Sequence, residues 1–351
     1  MKKSEPFEPA CPLPTPASKT VQLAHGGGGR LMQELIRDLF VRAFDNPMLA
    51  PLHDGATWPV EKGILAFTTD SYVVRPLFFP GGDIGSLAVH GTINDLAMCG
   101  ATPLGLSAGF ILEEGLDLDV LRRVVNSMAE AARAAGVPIV TGDTKVVDRG
   151  KGDGIYINTA GIGLVPAGVR VLPTSVRPGD AILLSGDLAS HGVAVLSVRE
   201  GLTLAGNIES DSAPLHRLVG DLIDSGIEIH CLRDLTRGGL ASVLNELAVA
   251  AKVGMAVEES AISVREPVRG ACELLGLDPL YVANEGRLVA MVPASQAEAA
   301  LAVLRRHTAA SRAAQIGVVT DRDPPLVVLR TIVGTQRVLD LLSGEQLPRI
   351  C

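Results

Sequence analysis

A two-domain α/β fold is what this sequence predicts, and three observations predict it. Short apolar runs bounded by turn residues alternate with segments whose apolar residues recur at helical spacing. A length of 351 residues suits two domains better than one, and 47% hydrophobic content beside 20% charge is that of a packed globular chain. The turn Val176-Arg-Pro-Gly-Asp180 interrupts the alternation, and a new strand and helix series starts behind it. The expected organisation is a flexible lead-in over 1–20, one domain over 21–175, a second over 176–340 and a tail over 341–351.

Residues 1–20 carry five prolines and no apolar period, which predicts an unstructured lead-in. Next comes Leu23-Ala-His-Gly-Gly-Gly-Gly-Arg30, ahead of Leu31, Leu35, Ile36 and Leu39 at helical spacing. A glycine-rich loop that opens a helix lets backbone N–H groups approach phosphate oxygens; the alternative is a plain hinge, since no Walker lysine follows. Ile64-Leu-Ala-Phe-Thr-Thr-Asp70 reads as a strand that ends in an acid. Over 84–98 a helix is predicted, with Ile84, Leu87, Ala88, Gly91 and Met98 on one face and Asp95 in the middle of it. A carboxylate aimed inward needs a partner, so Asp95, with Asp70 and Asn94 near it, belongs either to a hard-cation site or to an ion pair with an arginine.

Leu104–Leu112 is a predicted strand, and a helix follows between a cap at Asp117 and a stop at Gly136. Thr141-Gly-Asp-Thr-Lys145 is expected on a strand-to-loop exit, where an acid and a lysine could serve chemistry or form a surface ion pair. A strand is expected from Ile155. In the second series, helices are predicted over 187–199, 212–224, 240–251 and 295–306, and strands near 181–184, 287–292, 315–319 and 325–331. Asp234 opens a second glycine-rich turn, and Glu285 falls on a tight turn beside a strand. The chain stops at Pro348-Arg-Ile-Cys351, whose thiol is either a presented nucleophile or a frayed end.

Several classes are excluded. A net charge of −8, no basic block and 3% aromatic residues leave no footprint for nucleic acid. No stretch approaches the roughly 20 apolar residues of a membrane span, so a cytoplasmic protein is expected. Cys11, Cys99, Cys231, Cys272 and Cys351 have no Cys-x-x-Cys spacing, which argues against a zinc site or a disulfide framework. The seven histidines show no ligand spacing and are expected at the surface or satisfied in the core.

Taken together, His25-Gly-Gly-Gly-Gly29, Thr68-Thr-Asp-Ser71, Gly91-Thr-Ile-Asn-Asp-Leu-Ala-Met98, Gly142-Asp-Thr-Lys-Val-Val147, Asp234-Leu-Thr-Arg-Gly-Gly239, Asn284-Glu-Gly286 and Pro348-Arg-Ile-Cys351 resemble the blocks of the HypE family of hydrogenase maturation factors. The resemblance covers about 21–351 and places the chain in the PurM-like superfamily of aminoimidazole ribonucleotide synthetase, selenophosphate synthetase and thiamine-monophosphate kinase. It implies an α/β (α+β) fold in which the N-terminal domains of a homodimer pair into a β-barrel. It further implies a carbamoyl dehydratase: HypF delivers a carbamoyl group to Cys351, ATP with Mg²⁺ activates the carboxamide, and the resulting cyanide passes to the HypC–HypD complex for the iron of [NiFe] hydrogenase. The residues implied are Cys351, Glu285 and Lys145 for catalysis. Gly27, Gly28, Gly29, Asp70, Asn94, Gly142, Asp143 and Thr144 are implied for the nucleotide, and Asp70, Asp95 and Asp234 for the metal. The rivals are another ATP-dependent kinase of the superfamily and a non-catalytic carrier of Cys351.

Overall fold

The computed structural model describes residues 19–22, 35–46, 63–202, 206–340 and 350. Gly27, Gly28, Gly29 and Cys351 lie outside the described residues, as do residues 1–18 and all of the tail except Ile350.

The first domain is a four-stranded sheet with helices on one face. Its elements are β1 (Ile64–Tyr72), α1 (Ile84–Met98), β2 (Thr102–Glu113), α2 (Leu118–Ala135), β3 (Ile139–Val147) and β4 (Ile155–Val165). The sheet order is β1-β4-β2-β3; β4 is antiparallel to both neighbours, while β2 and β3 run parallel because α2 crosses between them. The local chemistry of the helix ends is plain. Asp83 caps α1 by accepting from the backbone of Gly85 and Ser86, with the Ser86 hydroxyl accepting in return from the Asp83 N–H. Asp117 caps α2, and Gly136 ends it at φ 75°, a left-handed conformation that glycine adopts without strain.

On β1 the side chains alternate: Ala66, Thr68, Asp70 and Tyr72 turn toward the helices, while Leu65, Phe67, Thr69 and Ser71 face outward. Leu65, Phe67 (72% exposed) and Ile111 of β2 therefore form an uncovered apolar face. Strand β3 departs from expectation. The predicted loop exit at Thr141–Lys145 is a continuous strand through Val147, because the charged residues of this stretch fall on the uncovered face and Thr144 on the covered one.

The second domain holds β5 (Asp180–Leu184), α3 (Ser190–Arg199), α4 (His216–Asp224), β6 (Cys231–Asp234), α5 (Gly239–Ala251), β7 (Gly254–Glu258), α6 (Glu266–Leu275), β8 (Leu288–Pro293), α7 (Ala297–Leu304), β9 (Ala314–Thr320), β10 (Val327–Arg330) and β11 (Gln336–Val338). Its seven strands are ordered β11-β10-β7-β9-β5-β8-β6. Strands β5 and β8 are buried along almost their whole length, as the unbroken apolar runs of their sequences require. Helix α1 is buried nearly all round because it packs on the first sheet and also meets α4 and β6 of the second domain.

Candidate active site

Where α1 meets the second domain, carboxylates from three elements converge. Asp70 comes from the covered face of β1, Asp95 from α1, and Asp234 from the last position of β6. The Thr68 hydroxyl donates to Asp95 Oδ2 at 2.9 Å. Burial, and secondarily the charge of Asp70, raise the Asp95 carboxyl above its ordinary range. Asp234 is pushed up to about 7, first by burial and then by Asp95. Arg233 opposes both shifts, yet its guanidinium is engaged with Glu246 at 2.8 Å. The arginine pairing considered for Asp95 is thus only a distant influence.

Glu285 closes the group from the segment before β8. It is 3% exposed, and burial followed by the charges of Asp234, Asp211, Asp70 and Asp95 holds its carboxyl well above the usual range. Its Oε1 has no hydrogen-bond partner among the described residues, and neither has Asp211 Oδ2. Asp211 Oδ1 accepts from the Glu285 N–H at 3.2 Å, which ties the two acids together. Asp211 Oδ2 is balanced by the Arg287 guanidinium, whose Nε lies 3.6 Å away. Among the described residues Glu285 has no such cation, and because a buried carboxylate oxygen without a partner is costly, it marks the functional centre.

The remaining predicted residues divide. Asn94 is buried, and its amide is used up on backbone: Nδ2 donates to the Ala213 and Glu285 carbonyls, and Oδ1 accepts from Leu215 N at 2.8 Å. It clamps α1 to the second domain. Lys145 Nζ and Asp143 Oδ1 form an exposed ion pair at 2.8 Å on β3, which holds the Asp143 carboxyl below its ordinary range. The pair lines a cavity of about 590 Å³ with Ser71, Ile111, Tyr156 and Asn158, on the uncovered face of the sheet. Within one chain, then, the sheet separates Lys145 from the acids. Gly142 lies against the Ala108 carbonyl with no room for a Cβ, and Thr144 is buried on the covered face.

Two groups were not foreseen. Asp211 sits in an irregular stretch with no period to mark it. His191, on the first turn of α3, is fully buried and held by Ser210 Oγ at Nδ1 (2.8 Å) and by the Ile350 carbonyl at Nε2 (2.7 Å). Ile350 is itself buried, in the cluster that contains Phe79, Val195 and Ala283.

Among the described residues no three His, Cys, Asp or Glu side chains come close enough to hold an ion alone. Carboxylates that repel one another, Asp234 among them pushed up to about 7, nevertheless fit Mg²⁺ by the hard-oxygen chemistry of the donor set.

The chain is similar to proteins of known family along nearly its whole length. The family of AIR synthase related proteins matches through its N-terminal domain over residues 52–165 and through its C-terminal domain over 177–329. The carbamoyl dehydratase HypE of Azotobacter vinelandii is 57% identical over 332 residues, spanning 95% of this chain and 97% of its own. A crystal structure of hydrogenase maturation protein HypE in complex with ATP is 54% identical, covers 94% of this chain and 99% of its own, and superposes with a TM-score of 0.91. A HypE chain from a HypE–HypF complex, 47% identical, covers 88% of this chain and 99% of its own with a TM-score of 0.78.

Proposed function

Since the chain belongs to the HypE family of hydrogenase maturation proteins, we propose that it uses ATP to dehydrate a carboxamide, carried on the Cys351 sulfur, to a thiocyanate. The carbamoyl group is received from HypF and the cyanide is delivered to the HypC–HypD complex, destined for the iron of [NiFe] hydrogenase. The observation that carries this reading is the buried Glu285 carboxyl with its unpartnered Oε1, under the influence of four further acids, with Ile350, the residue before Cys351, in the apolar cluster that includes Ala283, two residues before Glu285.

The chemistry follows from what an amide lacks. Its oxygen is a poor leaving group, so ATP first phosphorylates it; the amide gives up one proton and ADP departs, leaving an imidate phosphate. Glu285 then takes the second N–H proton, the C–O bond breaks with its electron pair going to phosphate, and S–C≡N remains. Phosphoryl transfer depends mainly on position and on neutralising charge. Asp70, Asp95 and Asp234 are the residues that would hold Mg²⁺, which supplies that neutralisation. Neutralising Asp95 and Asp234 would also remove part of the repulsion that, after burial, raises the Glu285 carboxyl, which would favour its role as a base.

The uncovered apolar face of the first sheet supports a homodimer, with Leu65, Phe67 and Ile111 paired against a second copy. Lys145 then belongs to that interface. The protein would act in the cytoplasm; among the described residues no helix is long and apolar enough to cross a membrane. The deciding experiment is intact-mass analysis after incubation with HypF, carbamoyl phosphate and ATP. Cys351 should gain a carbamoyl group and then lose one water; an adduct that persists in the presence of ATP would overturn the reading.

A further inference from the structure

The hydrogen bonds around His191 have only one consistent direction. The Ile350 carbonyl can only accept, so Nε2 carries the proton and donates to it at 2.7 Å. Burial lowers the imidazole's affinity for a second proton, so the ring is neutral and Nδ1 accepts from the Ser210 hydroxyl at 2.8 Å. Ser210 Oγ in turn accepts from the Ser212 N–H at 3.1 Å. The ring also meets the edge of Phe79 at 5.4 Å between centroids, which fixes its plane. Ser210 is followed directly by Asp211, whose carboxylate takes the Glu285 N–H, and Gly192 N–H donates to the Ala283 carbonyl two residues before Glu285. A single chain of contacts therefore joins the tail's backbone to the candidate base.

From this geometry we infer that His191 is a positioning residue: its Nε2–H grips the carbonyl of Ile350 and so sets where the next residue, Cys351, stands relative to Glu285. The grip is on a backbone atom. It registers the chain without reading a side chain, while the Ile350 side chain supplies the apolar half of the seat. Because α-carbons of adjacent residues are about 3.8 Å apart, holding the Ile350 carbonyl confines Cys351 to the same neighbourhood. His191 would matter for the dehydration step, the one that needs Cys351 near Glu285. The inference rests on the reading that Cys351 carries the substrate, but its first test does not.

That test is peptide-resolved alkylation of the full-length chain with iodoacetamide, with the exposed Cys99 as the internal reference. His191→Phe keeps the ring packing and removes the donor; His191→Gln returns a donating amide. Cys351 should react about tenfold faster in the Phe variant, the scale expected for loss of one buried hydrogen bond, and near the parent rate in the Gln variant. Equal rates in parent and Phe variant, or a Gln variant no better than the Phe variant, would overturn the inference. Should His191→Phe fail to fold, Ser210→Ala keeps the imidazole but loosens its tautomer, and a several-fold rise is expected; no rise refutes the latch. On carbamoylated protein, single-turnover loss of water should slow by about tenfold in His191→Phe with the KM for ATP unchanged. If the parent itself never loses water, it is the proposed activity that fails, and the alkylation rates still decide the role of His191.

Discussion

Replacing Asp234 by asparagine should make the ligand-free protein more stable while depriving it of activity. In the folded chain the Asp234 carboxyl is pushed up to about 7 from an ordinary 3.8. A carboxyl whose value is raised by folding holds its proton more tightly in the native state. The native state is therefore favoured most below the unfolded value, loses ground as pH rises between the two values, and carries the full penalty above the folded one. At about 1.4 kcal/mol per pKa unit, ionised Asp234 costs the fold roughly 4 kcal/mol at pH 8. An asparagine escapes the charge but leaves part of a buried amide unsatisfied, at about 1–3 kcal/mol, so the net gain is about 2 kcal/mol. For domains of this size that corresponds to a rise in Tm of roughly 4–8 °C. Thermal unfolding of parent and Asp234→Asn should be followed from pH 5 to 9 without nucleotide. The difference between them should grow up to about pH 7 and then level off. A variant that melts no higher than the parent at pH 8, with an unchanged pH profile, would show that the acids do not strain the empty site.

Three other outcomes are expected. Glu285→Gln should bind ATP within about threefold of the parent and form thiocyanate at least 100-fold more slowly, as loss of a general base requires; full turnover would remove Glu285 from the chemistry. Phe67→Asp should convert a dimer to a monomer in sedimentation velocity, because a charge placed on the uncovered apolar face cannot be buried unpaired; an unchanged dimer would place the interface elsewhere. Asn94→Ala should cost about 3 kcal/mol in denaturant unfolding, since it strands three backbone partners across the domain junction; a loss below about 1 kcal/mol would refute the clamp.

Much of the fold was legible because its helices are punctuated in the sequence. Asp117 and Gly136 bracket α2, and Asp83 starts α1, each through side-chain or backbone chemistry that acts locally. Strand β3 was misread where Gly-Asp-Thr-Lys looks like a loop. The polar residues are tolerated there because they lie on the sheet's uncovered face, a fact set by tertiary arrangement. Helix α6 and strand β7 went unnoticed between stronger signals. At the site, Asp70, Asp95, Asp234 and Glu285 were each marked by an acid at the end or inside of an apolar element. Asp211 and His191 carried no such mark: one lies in irregular chain, the other on a helix start among small residues, and only packing gives them partners. Lys145 shows the converse, a residue adjacent in motif but separated by a sheet from the acids it was grouped with.

Adjacent residues of α1 face two different masters. Asn94 is bolted to the second domain and Asp95 to Thr68 of the first sheet, so spreading the two halves would tear the acid centre itself. A cleft built in this way is a poor hinge. Ile350, by contrast, is held by one imidazole bond and a few apolar neighbours, so freeing it costs far less than parting the domains.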